Sequence, residues 1–141
     1  MTLPTHDSLV AAGLDSDMAD SVLKTIQDQQ PVALSIWWMY DCHLFHRIEG
    51  ATLDEIIAEA TEIQKEDGYG MLCAPTLLNA AGKEVRRVSA GPFSNGAHAH
   101  GRGKDAAYWQ QQCKNWRAAC EADADVMRLL RERSTLRRQR P

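Results

Sequence analysis

Residues 32–48 read VALSIWWMYDCHLFHRI, and the fold turns on how that stretch is parsed. Its even positions are Val32, Leu34, Ile36, Trp38, Tyr40, Cys42, Leu44, His46 and Ile48, while the odd positions mix Ala33, Ser35, Trp37, Met39, Asp41, His43, Phe45 and Arg47. Successive side chains of a strand leave opposite faces of the sheet, so a period of two predicts a strand with one face in a core and one partly wet. Seventeen residues is long for one strand, and a bend, bulge or tight reversal is expected near Asp41. Trp37 and Trp38 must then face opposite ways. Trp38, sharing its parity with Leu34, Ile36, Tyr40 and Leu44, belongs to the core, whereas Trp37 sits with Ser35, Asp41 and His43.

Working outward toward the C-terminus, Thr52-Leu53-Asp54-Glu55 matches a capping box, in which Thr52 and Glu55 bond each other's backbone amides. Leu53, Ile56, Ile57, Ala60 and Ile63 follow at helical spacing, which predicts a helix over 52–67 closed by Gly68. Residues 71–78 and 83–89 predict a hairpin around Asn79-Ala80-Ala81-Gly82, a type I turn ending in a left-handed glycine. Pro75 lacks a ladder donor, so the first arm is expected at a sheet edge. Residues 90–104 read as a flexible glycine-rich loop. From Asp105 the pattern is helical through 133, with Trp109, Cys113, Trp116 and Cys120 three and four apart, and an acidic patch at Asp123 and Asp125 leaves open whether this is one helix or two.

Toward the N-terminus, Ser8 is the expected cap of a brief helical turn stopped by Gly13, and Asp15 or Ser16 caps a second helix over 16–29 in which Met18, Val22 and Ile26 recur at fourth positions. Pro31 ends that helix. Two helices around a glycine are compatible with a DNA-reading helix-turn-helix. Before its end this second helix offers only Lys24 and Gln27 to base edges, and Asp15, Asp17, Asp20 and Asp28 would repel phosphate. The predicted architecture is therefore an α+β fold: an antiparallel sheet over 31–48 and 71–89, packed with helices over 16–29, 52–67 and 105–133. One domain over 1–136 and a basic, mobile tail over 137–141 are expected from a chain of 141 residues.

The composition is 44% hydrophobic and 25% charged, ordinary for a globular chain. No apolar run reaches the ~20 residues that span a bilayer, and the first ten residues lack a signal-peptide pattern, so the expected location is cytoplasmic with no membrane partner. The four cysteines fit that compartment. Cys113 and Cys120, seven apart on one helix, stand about 10.5 Å apart, beyond the reach of a disulfide. Without a CxxC, the four thiols read as reduced apolar fillers.

Charge is unevenly distributed. Residues 1–67 carry three basic residues against thirteen acidic, a net of −10, and residues 68–141 carry thirteen basic against six acidic, a net of +7. Such asymmetry marks a polyanion surface on one half, or two halves that face each other and partly cancel. The candidate anion or nucleic-acid residues are Arg102, Lys104, Arg128, Arg131, Arg133, Arg137, Arg138 and Arg140.

Catalytic motifs are scarce. Gly96-Ala97-His98-Ala99-His100-Gly101 has the outer glycine spacing of a P-loop, but Arg102 and Gly103 stand where Lys and Ser/Thr must contact phosphate and magnesium. His98 and His100 with Cys42, His43 or His46 have zinc-ligand chemistry, yet His43 and His46 are three apart in a strand and face opposite ways. There is no Gly-x-Ser-x-Gly elbow. A strand, a hairpin and a glycine-rich basic loop before a helix, over residues 71–112, is similar to acetyltransferases of the GNAT family; that family continues with further strands, whereas everything from Asp105 reads helical here. No cofactor and no metal are called for. The sequence is read as a non-enzymatic interaction or regulatory protein, an inhibitor or adaptor, that binds a protein partner through its uneven charge and through Trp37, His43 and Phe45. The alternatives are a nucleic-acid binder using the basic half and a small enzyme or metal site at His98 and His100. A homodimer through the 105–133 helix is a further expectation.

Overall fold

In a computed structural model, which describes residues 3–40, 43–67, 70–88, 97–98 and 106–139, the elements in chain order are α1 (His6–Ala11), α2 (Ser16–Asp28), β1 (Ala33–Ser35), β2 (Trp37–Tyr40), β3 (His43–Arg47), α3 (Leu53–Asp67), β4 (Met71–Leu72), β5 (Thr76–Leu78), β6 (Glu84–Arg87), β7 (Ala97–His98), α4 (Ala106–Glu121) and α5 (Ala124–Gln139). Helices and two small antiparallel sheets make an α+β fold, as the sequence predicts. The sheet orders are β1-β5-β6 and β3-β2-β4-β7.

The alternation over 32–48 is realised as a reversal. β2 and β3 pair antiparallel, with Tyr40 opposite His43 and Trp37 opposite Arg47. The register shifts between Trp38 and Met39, so Phe45 is the extra residue of a bulge in β3. A bulge resets parity: Leu44 opposes Met39 rather than an even-numbered residue, and His43 and His46 both oppose even-numbered partners, Tyr40 and Trp38. The register over 43–46 is thus not that of the uninterrupted strand on which the expected opposite facing of His43 and His46 depends.

β1 and β2 are one run interrupted at Ile36, and β4 and β5 are an opposing run interrupted over 73–75. Leu34 lies opposite Leu77 and Trp38 opposite Leu72, and Cys73 N donates to Trp37 O across the break (2.9 Å). Pro75 falls in that break, where no ladder donor is required, and its carbonyl accepts from Val88 N at 3.0 Å. The edge position expected for the 71–78 arm is therefore wrong: β4 lies between β2 and β7, and β5 between β1 and β6. The predicted turn is present. Gly82 N donates to Asn79 O at 2.9 Å, and Gly82 has φ +79, which glycine adopts without penalty.

Capping explains the helix boundaries. Asp15 accepts from Met18 N (2.8 Å) and starts α2 as expected. α1 begins one turn earlier than predicted: Thr5 is the cap, and Ser8 is the reciprocal member of its capping box. For α3, Thr52 Oγ1 accepts from Glu55 N (3.2 Å), while Glu55 Oε2 reaches back to Ala51 N (3.0 Å). The 105–133 segment is two helices. Asp123 separates them, accepting from Asp125 N and Val126 N, both at 3.1 Å. The acidic patch is thus the N-cap of α5. α5 continues to Gln139, so residues 137–139, expected in the tail, are helical.

The buried face of the sheets carries Leu34, Ile36, Trp38, Leu72 and Leu77, and α3, α4 and α5 pack on it through Ile56, Ala60, Trp109, Cys113, Trp116, Cys120, Val126 and Leu130. Trp38 is fully buried. Two indole N–H groups in this core are satisfied: Trp116 Nε1 donates to Cys73 O (3.0 Å) and Trp109 Nε1 to Thr61 Oγ1 (2.8 Å). The apolar stripe of α4, within the 105–133 segment expected to offer a homodimer contact, is occupied inside the chain's own core. Among the described residues no helix is long and apolar enough to cross a membrane.

Candidate functional site

Apolar residues left outside the core locate the first candidate surface. Five large hydrophobic residues are exposed among those described, and four of them, Leu3, Val10, Met18 and Val32, belong to the N-terminal segment that carries α1 and α2. α1 buries no residue and α2 buries only Ala19. Yet α2 is strongly amphipathic, with Met18, Val22 and Ile26 on successive turns and Leu23 beside them. Met18, at the head of that stripe, is 53% exposed. The hairpin is held to the sheets in part by Asn79, whose Nδ2 donates to Asp28 O (3.0 Å) while its Oδ1 accepts from the amides of Ala81 and Lys83.

The same segment carries Asp7, Asp15, Asp17, Asp20 and Asp28 against Lys24 alone. His6 lies near Asp20 (3.4 Å) and Asp7 (3.9 Å). Asp15, Asp17 and Asp28 form no ion pair among the described residues. The result is an apolar stripe framed by carboxylates.

The basic half is placed differently from that expected of a polyanion surface. Arg128 donates to Pro31 O (2.8 Å) and to Glu132 (3.1 Å). Arg133 donates to Leu34 O and to Gly50 O, and its desolvation lowers its pKa from the ordinary value. Arg137 pairs with Glu55, whose carboxyl is held below its ordinary value by the Ala51 amide and then by Arg137. Arg131 and Arg138 are exposed on α5. Arg102, Lys104 and Arg140 lie outside the described residues, as does His100.

Of the aromatic candidates, Trp37 is half-buried and its Nε1 donates to Ser35 Oγ at 2.8 Å. His43 and Phe45 lie on β3, Phe45 in its bulge. The structure brings Trp37, His43 and Phe45 to one hairpin, away in sequence from the α1–α2 surface, which the sequence marks only as a poor helix-turn-helix. The signal for it was present: an apolar i, i+4, i+8 stripe flanked by aspartates.

Cys113 and Cys120 pack in the core as fillers. Burial pushes the thiols of Cys113 and Cys120 up to about 12, far from a reactive thiolate. Cys73 is half-buried, while Cys42 lies outside the described residues. Among the described residues no three metal-ligating side chains gather, and His98 lies on β7, paired through Met71. Comparison with known proteins returned no matching family model, no matching curated protein and no matching solved structure.

Proposed function

We propose that this chain is a non-enzymatic binding protein, an adaptor or inhibitor of the cytoplasm, that engages a basic partner protein through the α1–α2 hairpin. One observation carries the reading: an amphipathic helix whose apolar stripe is incompletely buried, in a segment bearing five aspartates. Exposed apolar surface rimmed by charge is the usual composition of a protein contact. Carboxylates around it select a cationic partner and speed its approach. Internal use of Arg128, Arg133 and Arg137 argues against the nucleic-acid alternative, since those cations already have acceptors.

The test uses the full chain as bait in native lysate, with and without nuclease, beside Met18→Glu and Asp17→Lys variants. Both positions are exposed, so Met18→Glu should cost no more than about 0.5 kcal/mol and Asp17→Lys, which puts a cation in the first turn of α2, about 1 kcal/mol, leaving both variants folded. The expected result is a basic protein retained after nuclease and lost with either variant. Capture unchanged by both substitutions overturns the assignment to the hairpin. Capture abolished by nuclease replaces the protein partner with nucleic acid.

A further inference from the structure

A second feature, independent of the hairpin, lies on the helical layer. α3 and α4 run antiparallel, because Arg117 meets Asp54 at one end while Trp109 donates to Thr61 further along. Between them opens a cavity of about 690 Å³. That volume lies within the roughly 300–1,000 Å³ of small-molecule sites. Its α3 side runs from Ile57 to Lys65, about 12 Å at 1.5 Å per residue.

The lining divides by chemistry. Ile57, Trp109 and Cys113 supply apolar surface, and three cations, Lys65, Lys114 and Arg117, stand among the lining residues. No acidic residue lines the cavity among those described. The cations are not equivalent. Lys65 is paired with Glu62 at 2.9 Å, and Arg117 is engaged by Asp54 with Glu121 at 3.8 Å. Lys114 is exposed and has no ion-pair partner among the described residues. It lies three residues before Arg117, on the neighbouring turn of the same helix face, so two like charges reinforce each other there. An anion beside Lys114 relieves that repulsion and gains charge-assisted hydrogen bonds.

We propose that the α3–α4 groove binds a small carboxylate with an apolar body, the body lying on Ile57, Trp109 and Cys113 and the carboxylate on Lys114 beside Arg117. The Cys113 thiol contributes as apolar surface, since its burial keeps it protonated. A ligand with its charge at one end fits a site whose available cation is at one end of an apolar floor.

The experiment is calorimetric titration of the full chain with decanoate, decanol and decyltrimethylammonium, which share an apolar body and differ in head charge. Decanoate should bind, decanol more weakly, and the cation least. Lys114→Glu should weaken decanoate about tenfold or more, Lys114→Arg should retain it, and neither should shift the melt. Ile57→Trp, which fills the floor, should abolish binding. Equal binding of all three probes overturns the proposal, since apolar partition alone would explain it. No decanoate binding by the folded wild type also overturns it. So does an acidic amphipathic peptide that binds in a Lys114-dependent manner while decanoate does not, which would give the groove to a protein segment. Met18→Glu should leave decanoate binding unchanged, so failure here and failure at the hairpin are read separately.

Discussion

Replacing Asp123 with alanine tests whether the break between α4 and α5 is built as described. Asp123 Oδ1 accepts from the amides of Asp125 and Val126, both at 3.1 Å, and its carboxylate receives two bonds from Arg86, at 2.7 and 3.0 Å. Loss of an N-cap acceptor costs about 1 kcal/mol. The Arg86 pair joins partly exposed groups, so its loss adds no more than about 1 kcal/mol. The total of about 2 kcal/mol corresponds to a fall in Tm of roughly 6 °C at this chain length. Asp123→Asn keeps an acceptor at the cap and loses the charge, so its cost should be about half as large. Asp125→Ala removes only exposed pairing to Arg86 and Arg128 and should cost under about 1 kcal/mol. The pH dependence has a definite sign. Arg86's hydrogen bonds hold the Asp123 carboxyl below its ordinary value of 3.8. A depressed folded pKa contributes stability that is complete above the unfolded pKa and is lost as pH falls through the folded one. Thermal melts followed by circular dichroism should therefore separate wild type from Asp123→Ala at neutral pH, and the gap should narrow in the acid range below 3.8. An unchanged Tm at neutral pH, or a gap that widens on acidification, refutes both the cap and the pairing.

Two further outcomes concern the sheet. Trp38→Ala should cost about 3–5 kcal/mol, because Trp38 is fully buried, whereas Trp37→Ala removes a half-buried ring and one bond to Ser35 and should cost clearly less; equal losses in urea unfolding contradict the two-faced sheet. A Cβ placed on Gly70, whose φ is +155, would lie 2.1 Å from Cζ2 of Trp38, so Gly70→Ala should destabilise by at least about 1–3 kcal/mol, and a denaturation midpoint identical to wild type disproves that close approach.

The elements that were legible in the sequence are those written in local chemistry. The parity of Leu34, Ile36 and Trp38, the Thr52–Glu55 cap, the Asp15 cap and the Asn79–Gly82 turn each rest on a few adjacent residues, and each is found. What was not legible depends on partners distant in sequence. Pro75 looked like an edge marker, because nothing local reveals that the opposing run breaks at the same level, beside Ile36. The bulge at Phe45 has no glycine to announce it. Asp123 and Asp125 carried an ambiguous signal, since an acidic pair inside a helical pattern is either a surface patch or a cap; Arg86, 37 residues away in sequence from Asp123, helps hold it as a cap. Of the candidate site, the stripe of Met18, Val22 and Ile26 was visible, but not that Met18 stays exposed while Val22 and Ile26 are half-buried. Amphipathicity predicts burial, and only the tertiary structure reports that α2 buries little beyond Ala19.

The lopsided charge finds its explanation at this level. Arg128 and Arg133 donate to carbonyls of Pro31, Leu34 and Gly50, while Arg117 and Arg137 meet Asp54 and Glu55. These contacts span 63 to 99 residues of sequence, so the basic half closes on the acidic half and much of its charge is answered within the molecule. Arginine suits this work because its planar fork donates several bonds while its stem covers apolar surface. Cancellation is uneven, however. It reaches the start of α3, where Arg117 and Arg137 meet Asp54 and Glu55, but leaves Asp15, Asp17 and Asp28 without ion pairs among the described residues. Glu59 and Glu66 on α3 are likewise unpaired among the described residues, but in the N-terminal segment the unpaired carboxylates share the chain with exposed apolar residues. Charge and exposed apolar surface coincide there, while on the helical layer apolar lining stands beside the cation of Lys114. One face thus favours a cationic macromolecule and the other a small anion, and the two substitutions Met18→Glu and Lys114→Glu separate them.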